Sequence, residues 1–187
     1  MISGALSLAL LLLVPPALAQ SWNMQELMKE MAQVPASRAR FVEIREIALL
    51  TQPVELKGTL TYERPQRLTK HVQSPVDETL SVDGDTLTLR NASKQRVISL
   101  RDEPAAGALV ASVRATLAGD LAQLERHYKI ELSGTRASWK LRLQPREARV
   151  RRAVDSITLG GAGARLTRID TLEANGDRSV MTIRHDG

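Results

Sequence analysis

The chain of 187 residues contains no cysteine, and its aromatic residues number only two Trp, two Tyr and one Phe. Without a thiol the chain can form no disulfide, offers no thiol nucleophile and has no cysteine near its N-terminus to carry a lipid. These absences exclude disulfide cross-links and cysteine-based catalysis.

The signatures of other catalytic and metal sites are also missing. The three histidines, His71, His127 and His185, are scattered and lack metal-ligand spacing. No G-x-S-x-G motif marks a nucleophilic serine. The glycine-rich run at 160–163 is expected between two strands, with no Lys-Ser or Lys-Thr pair after it to bind phosphate. We therefore expect a binding protein without metal or cofactor, and not an enzyme.

The N-terminus has the pattern of a secretory signal peptide. An apolar run from Ala5 to Val14 precedes two prolines and the A-x-A sequence 17–19. The run is shorter than the roughly 20 apolar residues that span a bilayer. A basic leading region is missing, so an uncleaved anchor remains the alternative. We expect a signal peptide over 1–19, cleavage after Ala19, a periplasmic location and a single domain over 20–187.

The charge balance is basic, with 26 Lys and Arg against 21 Asp and Glu and a formal net charge of +5. In a periplasm we expect no nucleic-acid partner, which leaves anionic lipid head groups at a membrane surface or acidic protein faces. The alternative is a solvated surface that keeps a monomer soluble. A basic cluster at Arg146, Arg149, Arg151 and Arg152 is compatible with either.

An amphipathic helix is predicted directly after the cleavage point. Asn23 and Glu26 form a capping-box pattern. Apolar residues then follow at i, i+3, i+4 and i+7, namely Met24, Leu27, Met28 and Met31. Methionine adapts to irregular apolar partners such as acyl chains, although a core helix rich in methionine has the same pattern.

A second helix is predicted over Pro104–Ala118, with Asp102 as its N-cap and Gly119 as the glycine that ends it. Arg114 is nearly its only charge, and a short helical turn at 121–126 is expected to follow. Its apolar residues at helical spacing are Leu109, Val110, Val113 and Leu117.

The remainder of the chain predicts antiparallel strands with turn residues every 8 to 12 positions. Pro65 should end a strand, and Asp83-Gly84 indicates a hairpin. The first strand is expected over 38–50, with a bulge or bend at Arg45-Glu46. About ten strands and two helices predict an α+β fold, mainly antiparallel β, in which a strongly curved sheet forms an incomplete barrel covered by helices. The periodicity alone also allows a closed barrel or a sandwich.

One region carries a resemblance to a known family. Gly58, Leu60, Tyr62, Arg64, Pro65 and Leu68 form a G-x-L-x-Y-x-R-P-x-x-L run. The segment 74–87 follows, and it is similar to a P-D-E-x-x-L-x-x-D-G-x-x-L pattern with Val76 inserted. These features resemble the LolA family of periplasmic lipoprotein carriers. The resemblance implies an unclosed barrel under a helical lid that is formed by the two predicted helices.

The resemblance also assigns roles to residues. It implies that Arg64 latches the closed lid through backbone carbonyls near Gly107 or Ala118. The alternative is a solvated arginine at a strand end. The two helices would supply the lid residues Met24, Leu27, Met28, Met31, Leu109, Val110, Val113 and Leu117. The expected acyl-binding cavity comprises Leu56, Leu60, Tyr62, Leu68, Trp139, Leu141 and Leu143.

The implied function is a carrier that takes a lipoprotein or other acylated lipid from an inner-membrane exporter to an outer-membrane acceptor. The scarcity of aromatic residues suggests a divergent relative that serves another lipid. A lipid-sensing or protein-docking adaptor with the same fold, and without transfer activity, is the alternative.

Overall fold

The structure is a computed structural model that describes residues 22–185, so the predicted signal peptide lies outside the described residues. Residues 22–185 form four helices and eleven strands. The helices are α1 (Met24–Met31), α2 (Pro104–Ala118), α3 (Leu121–His127) and α4 (Ala148–Arg151). The strands are β1 (Ala36–Glu46), β2 (Val54–Glu63), β3 (Arg67–Ser74), β4 (Glu78–Asp83), β5 (Thr86–Asn91), β6 (Gln95–Ser99), β7 (Tyr128–Thr135), β8 (Ser138–Pro145), β9 (Val154–Ala162), β10 (Arg165–Glu173) and β11 (Arg178–His185).

All eleven strands belong to one antiparallel sheet, in the order β6-β5-β4-β3-β2-β1-β11-β10-β9-β8-β7. Within residues 22–185, β6 pairs only with β5 and β7 only with β8, so the sheet is not closed. The predicted incomplete barrel with helices is therefore confirmed, and the closed barrel and the sandwich are excluded.

The first strand differs from its prediction. β1 ends at Glu46, where it pairs with Arg178 of β11, and its register with both neighbours is continuous. The bulge predicted at Arg45-Glu46 is wrong. The apolar alternation ends there because Arg45 follows Glu43 on the inner face of a regular strand, where the two side chains are hydrogen-bonded, and because the strand itself ends at Glu46.

Helix α2 has the predicted bounds but a different N-cap. Glu103, and not Asp102, is the N-cap, and it makes no side-chain capping hydrogen bond. Pro104 lies in the first turn, where the missing backbone N–H of proline costs no intrahelical hydrogen bond. At the other end Gly119 has φ +71°, and a Cβ there would lie 2.3 Å from the carbonyl oxygen of Met28. Glycine is required at this point for both reasons.

The glycine-rich run predicted between strands lies mostly within β9. Gly160 and Gly161 are strand residues, and the turn begins only at Gly163. Trp139 pairs with Gly161 across the β8–β9 ladder, and a Cβ on Gly161 would lie 2.2 Å from the indole Cζ2. The glycine is present because the indole occupies the space above it.

The main hydrophobic core lies between the helices and the inner face of the sheet. Asn23 caps α1, and its side chain accepts a hydrogen bond from the backbone N–H of Glu26 at 3.0 Å. Leu27 and Met31 of this helix are completely buried. None of the helices in residues 22–185 combines the length and the hydrophobicity that a membrane-spanning helix requires.

Candidate functional site: an apolar cavity beneath helix α2

A cavity of about 270 Å³ lies between α2 and the inner face of the sheet. Residues from β1 to β5 and from β10 and β11 line it together, so the sheet curves around it. The α2 side of the cavity is formed mainly by the apolar residues predicted from helical spacing, Leu109, Val110, Val113 and Leu117. A predominantly aliphatic lining of this kind suits a hydrocarbon ligand.

Three of the predicted cavity residues, Leu60, Tyr62 and Leu68, line this cavity. Leu56 packs against the core but does not reach the cavity wall. The hydroxyl of Tyr62 is buried and has no hydrogen-bond partner among residues 22–185.

The other predicted cavity residues, Trp139, Leu141 and Leu143, do not line the cavity. All three are at most 1% exposed and belong to the main hydrophobic core. Their strand does turn these side chains inward. Trp139 is fixed away from the cavity because it packs over Gly161 and donates a hydrogen bond to the carbonyl of Gly163 at 2.8 Å.

The residues assigned to the lid from α1 also lie elsewhere. Leu27, Met28 and Met31 are buried in the core, and Met24 packs against it. None of them lines the cavity. The methionine-rich face is therefore part of the core, and α2 alone supplies the predicted lid residues that face the cavity.

Arg64 lies directly after β2 and reaches the end of α2. Its Nη2 donates a hydrogen bond to the carbonyl of Ala118 at 2.8 Å. Ala118 is the last residue of the helix, where carbonyls lack intrahelical partners and a cation is favoured by the helix dipole. The contact joins two of the residues named from the sequence, while the role of Arg64 as a latch stays a prediction.

A second arginine, not assigned a role from the sequence, joins α2 to the sheet. Arg114 donates from Nη1 to the carbonyl of Gly84 at 2.6 Å and from Nη2 to the side chain of Gln66 at 3.2 Å. Its signal in the sequence was its isolation, since it is the single charged residue of an otherwise small and apolar helix. Arg64 and Arg114 thus connect α2 to turns at one end of the sheet.

A polar contact also fixes the N-terminal half of α2. The hydroxyl of Tyr128 donates to the carbonyl of Ala108 at 2.7 Å, and burial raises the pKa of this tyrosine to about 12.

In the basic cluster, Arg149 donates to the carbonyl of Arg101 at 2.6 Å. Arg146 donates to the carbonyls of Glu125 and Tyr128. At least these two arginines of the basic cluster therefore bind backbone carbonyls.

A buried group of charges also lines the cavity. Glu43 is 3% exposed, and its carboxylate accepts hydrogen bonds from Arg45 Nε and Ser179 Oγ, each at 2.7 Å, and from Lys70 Nζ. Lys70 also lies over the Phe41 ring, 4.9 Å from its centroid. We call Glu43, Lys70, Arg45 and Ser179 the charged cluster. No sequence pattern had singled it out as a site.

The charges of the cluster determine its pKa values. Burial raises the pKa of Glu43, but the adjacent cations of Lys70 and Arg45 outweigh burial and lower it from 4.5 to about 2. Burial lowers the pKa of Lys70, and the carboxylate of Glu43 opposes that change. Glu43 is therefore ionised in the folded protein throughout the neutral range.

This pKa predicts how stability depends on pH. The pKa of Glu43 is lower in the folded state than in the unfolded state. The contribution of the Glu43 carboxylate to the free energy of unfolding is therefore complete above about pH 4.5 and is lost as the pH falls towards 2. The loss is expected to be about 3 kcal/mol in the free energy of unfolding. Urea unfolding between pH 5 and pH 2 measures it. The Glu43→Leu/Lys70→Met variant should lack this component, and an equal loss in both proteins would contradict the assignment.

Residues 22–185 contain no cluster of His, Asp or Glu side chains arranged to hold a metal ion. A groove of about 660 Å³ lies along the other side of α2, and Ala111 and Arg114 are among the residues that line it. Charged residues such as Asp85, Arg101 and Glu147 also line this groove, whereas the lining of the inner cavity is mainly aliphatic, so the inner cavity is the candidate site for a hydrocarbon ligand.

Comparison with solved structures gives matches at low sequence identity. A LolA superfamily protein from Nitrosomonas europaea is 11% identical, with 89% of this chain and 95% of that chain covered and a TM-score of 0.47. The lipoprotein LppX from Mycobacterium tuberculosis is 9% identical, with 86% and 92% covered and a TM-score of 0.41. A chain in the MucA/MucB complex of Pseudomonas aeruginosa is 14% identical, with 86% and 55% covered and a TM-score of 0.39. At these scores the matches carry no conclusion about function.

Comparison with curated protein sequences finds no match. A family model described as outer membrane lipoprotein carrier protein LolA-like matches residues 16–183, which is nearly the whole chain. The chain therefore belongs to the LolA-like family of outer membrane lipoprotein carrier proteins.

Proposed function

We propose that the protein is a periplasmic carrier that shelters the acyl chains of lipoproteins or other lipids and moves them from the inner to the outer membrane. The observation that carries this proposal is the aliphatic cavity between α2 and the sheet. Each methylene transferred from water to an apolar site contributes about 0.8 kcal/mol, so one sheltered acyl chain supplies ample affinity.

Release of the acyl chain is then the limiting step. The contact between Arg64 and the end of α2 is weak enough to allow the helix to move. Arg64 binds Ala118 near the protein surface, where a hydrogen bond contributes about 1 kcal/mol. Such a contact closes the cavity against water but is broken at modest cost. The proposed cycle is breaking of the Arg64–Ala118 contact, entry of the acyl chain beneath α2, and return of this contact when the chain has left.

The proposed partners follow from this cycle. An inner-membrane exporter would deliver the cargo, an outer-membrane acceptor would receive it, and the monomeric carrier would touch a membrane surface only transiently. The net charge of +5 favours acidic faces on these partners. The signal peptide over 1–19, removed after Ala19, would place the protein in the periplasm.

Transfer between vesicles tests the proposal and the role of Arg64 together. The assay follows a fluorescent diacyl lipid from donor to acceptor vesicles and the amount of lipid retained by the protein. The wild type is expected to transfer lipid. Arg64→Leu should retain about fivefold more lipid and release it more slowly, because loss of about 1 kcal/mol weakens the closed empty state.

Arg67→Leu is the matched control, since Arg67 is an exposed arginine in the same turn region that pairs with Glu63 and, within residues 22–185, forms no hydrogen bond with α2. It should behave as the wild type. If the two variants retain lipid equally, Arg64 is not the latch. If the wild type neither takes up nor transfers lipid, the carrier function is wrong.

A second candidate function is an adaptor that senses lipid or docks proteins without transfer. One observation favours it. Edge strand β6 pairs on one side only within residues 22–185, and its Val97 is 65% exposed, so the edge is available to an added strand from another protein. A stable complex with an inner-membrane protein, together with no lipid transfer, would favour this adaptor.

A further inference from the structure

The charged cluster leads from the cavity towards solvent. Its members come from three strands, with Glu43 and Arg45 on β1, Lys70 on β3 and Ser179 on β11, and all four line the cavity. The side chains are 4% exposed at Glu43, 15% at Lys70 and 42% at Arg45. An acyl chain in the cavity would therefore meet these charges where one end of the chain approaches water.

Hydrogen bonding within the cluster leaves donors unused. Glu43 accepts from Arg45, Lys70 and Ser179, so its carboxylate is satisfied. Lys70 has three donors and Arg45 five, and in the described part of the chain Glu43 is the sole acceptor that each of them contacts. The cluster can thus give further hydrogen bonds but needs to accept none.

Two acidic residues interact electrostatically with the two cations without binding them. The charge of Glu78 on β4 interacts with that of Lys70, and the charge of Glu173 on β10 interacts with those of Arg45 and Asp177. Neither Glu78 nor Glu173 forms a hydrogen bond with Lys70 or Arg45 in residues 22–185. These carboxylates reduce the local positive potential, but they do not occupy the free donors.

The size of the cavity limits its occupant. About 270 Å³ lies just below the range of roughly 300–1,000 Å³ that is typical of small-molecule sites. With α2 in place, the cavity suits one acyl chain and not several. A single chain with its polar end at the cluster would bury its hydrocarbon and satisfy the donors of Lys70 and Arg45.

We propose that Lys70 and Arg45 bind the anionic oxygen group, a carboxylate or a phosphate, of a single-chain lipid whose acyl chain lies beneath α2. Hydrogen bonds from a cation to an anionic oxygen are stronger than those to a neutral ester or hydroxyl. The cluster therefore makes the carrier selective for acidic lipids. This inference rests on the proposed function, because it requires the cavity to hold an acyl chain.

Equilibrium binding of three lipids with the same 16-carbon chain tests the proposal, each below its micelle concentration. The lipids are palmitate, palmitoyl lysophosphatidic acid and neutral monopalmitoylglycerol. The wild type should bind at least one anionic lipid about tenfold more tightly than the neutral lipid. The tighter of the two anions identifies carboxylate or phosphate as the preferred group.

The Glu43→Leu/Lys70→Met variant removes the ion pair as a whole. It should lose most of the preference for the anionic lipids over monopalmitoylglycerol. The matched control is Glu55→Leu/Lys57→Met, which makes the same substitutions in an exposed ion pair on β2. This control should keep the preference.

Two results would overturn the proposal: equal affinities of the wild type for all three lipids, or an undiminished preference in the Glu43→Leu/Lys70→Met variant. The first comparison needs only the wild type, so it is decisive even if the variant does not fold. If monopalmitoylglycerol binds as tightly as the anions, the proposed acyl binding by the cavity stands and this inference fails. If none of the three lipids binds, both fail.

Discussion

Replacing Glu43 with leucine is expected to lower the free energy of unfolding by about 3–5 kcal/mol, because it leaves the cation of Lys70 buried without its carboxylate. The side chain of Lys70 is only 15% exposed. Within residues 22–185, its ammonium group donates a hydrogen bond to Glu43. Arg45 is 42% exposed and can turn towards water, so Lys70 accounts for most of the effect. Urea unfolding at pH 7 measures it.

Two further variants identify the cause. Glu55→Leu removes an equivalent carboxylate from an exposed pair with Lys57 and should change stability by less than about 0.5 kcal/mol. Glu43→Leu/Lys70→Met should recover much of the stability lost in Glu43→Leu, because an apolar pair replaces the ion pair as a whole. A double variant no more stable than Glu43→Leu would show that the loss comes from packing and not from the unpaired charge.

Filling the cavity is expected to abolish acyl binding. Leu109 of α2 lines the cavity, and tryptophan at this position would place an indole in the space proposed for the acyl chain. Leu109→Trp should weaken lipid binding by more than about tenfold and lower stability by about 1–3 kcal/mol. Uptake of a fluorescent fatty acid, with urea unfolding alongside, measures both effects.

Ala111→Trp is the matched control for the cavity-filling variant. Ala111 lies on the same helix but is exposed on its outer side, along the groove. The same large side chain placed there should leave lipid uptake near that of the wild type. Undiminished uptake by a folded Leu109→Trp protein would mean that the acyl chain binds elsewhere.

Local patterns predicted most of the elements. The bounds of α2 followed from Pro104 and Gly119, because these residues respectively begin and end helices for reasons of backbone geometry. The hairpin at Asp83-Gly84 was also predicted, and the structure joins β4 and β5 there. The signals that depend on one residue and its immediate neighbours were therefore the most informative.

The position of the cavity could not be predicted from alternation alone. The alternation of apolar and polar residues places Leu60 and Leu141 on the inner face of the sheet. It does not show which part of that face is packed against other side chains and which part borders a cavity. Leu60 lines the cavity, whereas Leu141 is completely buried in the core. The difference depends on where the helices pack, and this is a property of the whole fold.

The charged cluster could not be predicted because Lys70 and Ser179 are distant in sequence from Glu43. Glu43 and Lys70 are 27 positions apart, and Glu43 and Ser179 are 136 positions apart. The pairing registers of β1, β2, β3 and β11 bring them together, and these registers cannot be derived from the separate strand patterns. One signal of the cluster is the break in alternation at Arg45-Glu46, which by itself predicts a bulge or bend and not a buried ion pair.

Native mass spectrometry of the protein purified from a bacterial periplasm, followed by extraction and identification of bound lipid, tests most directly whether the cavity beneath α2 carries acyl chains. The account predicts acylated species bound to the wild type, more of them bound to Arg64→Leu and few or none bound to Leu109→Trp. A wild type and an Arg64→Leu variant that are both empty, and that both fail to take up lipid from vesicles, would contradict it.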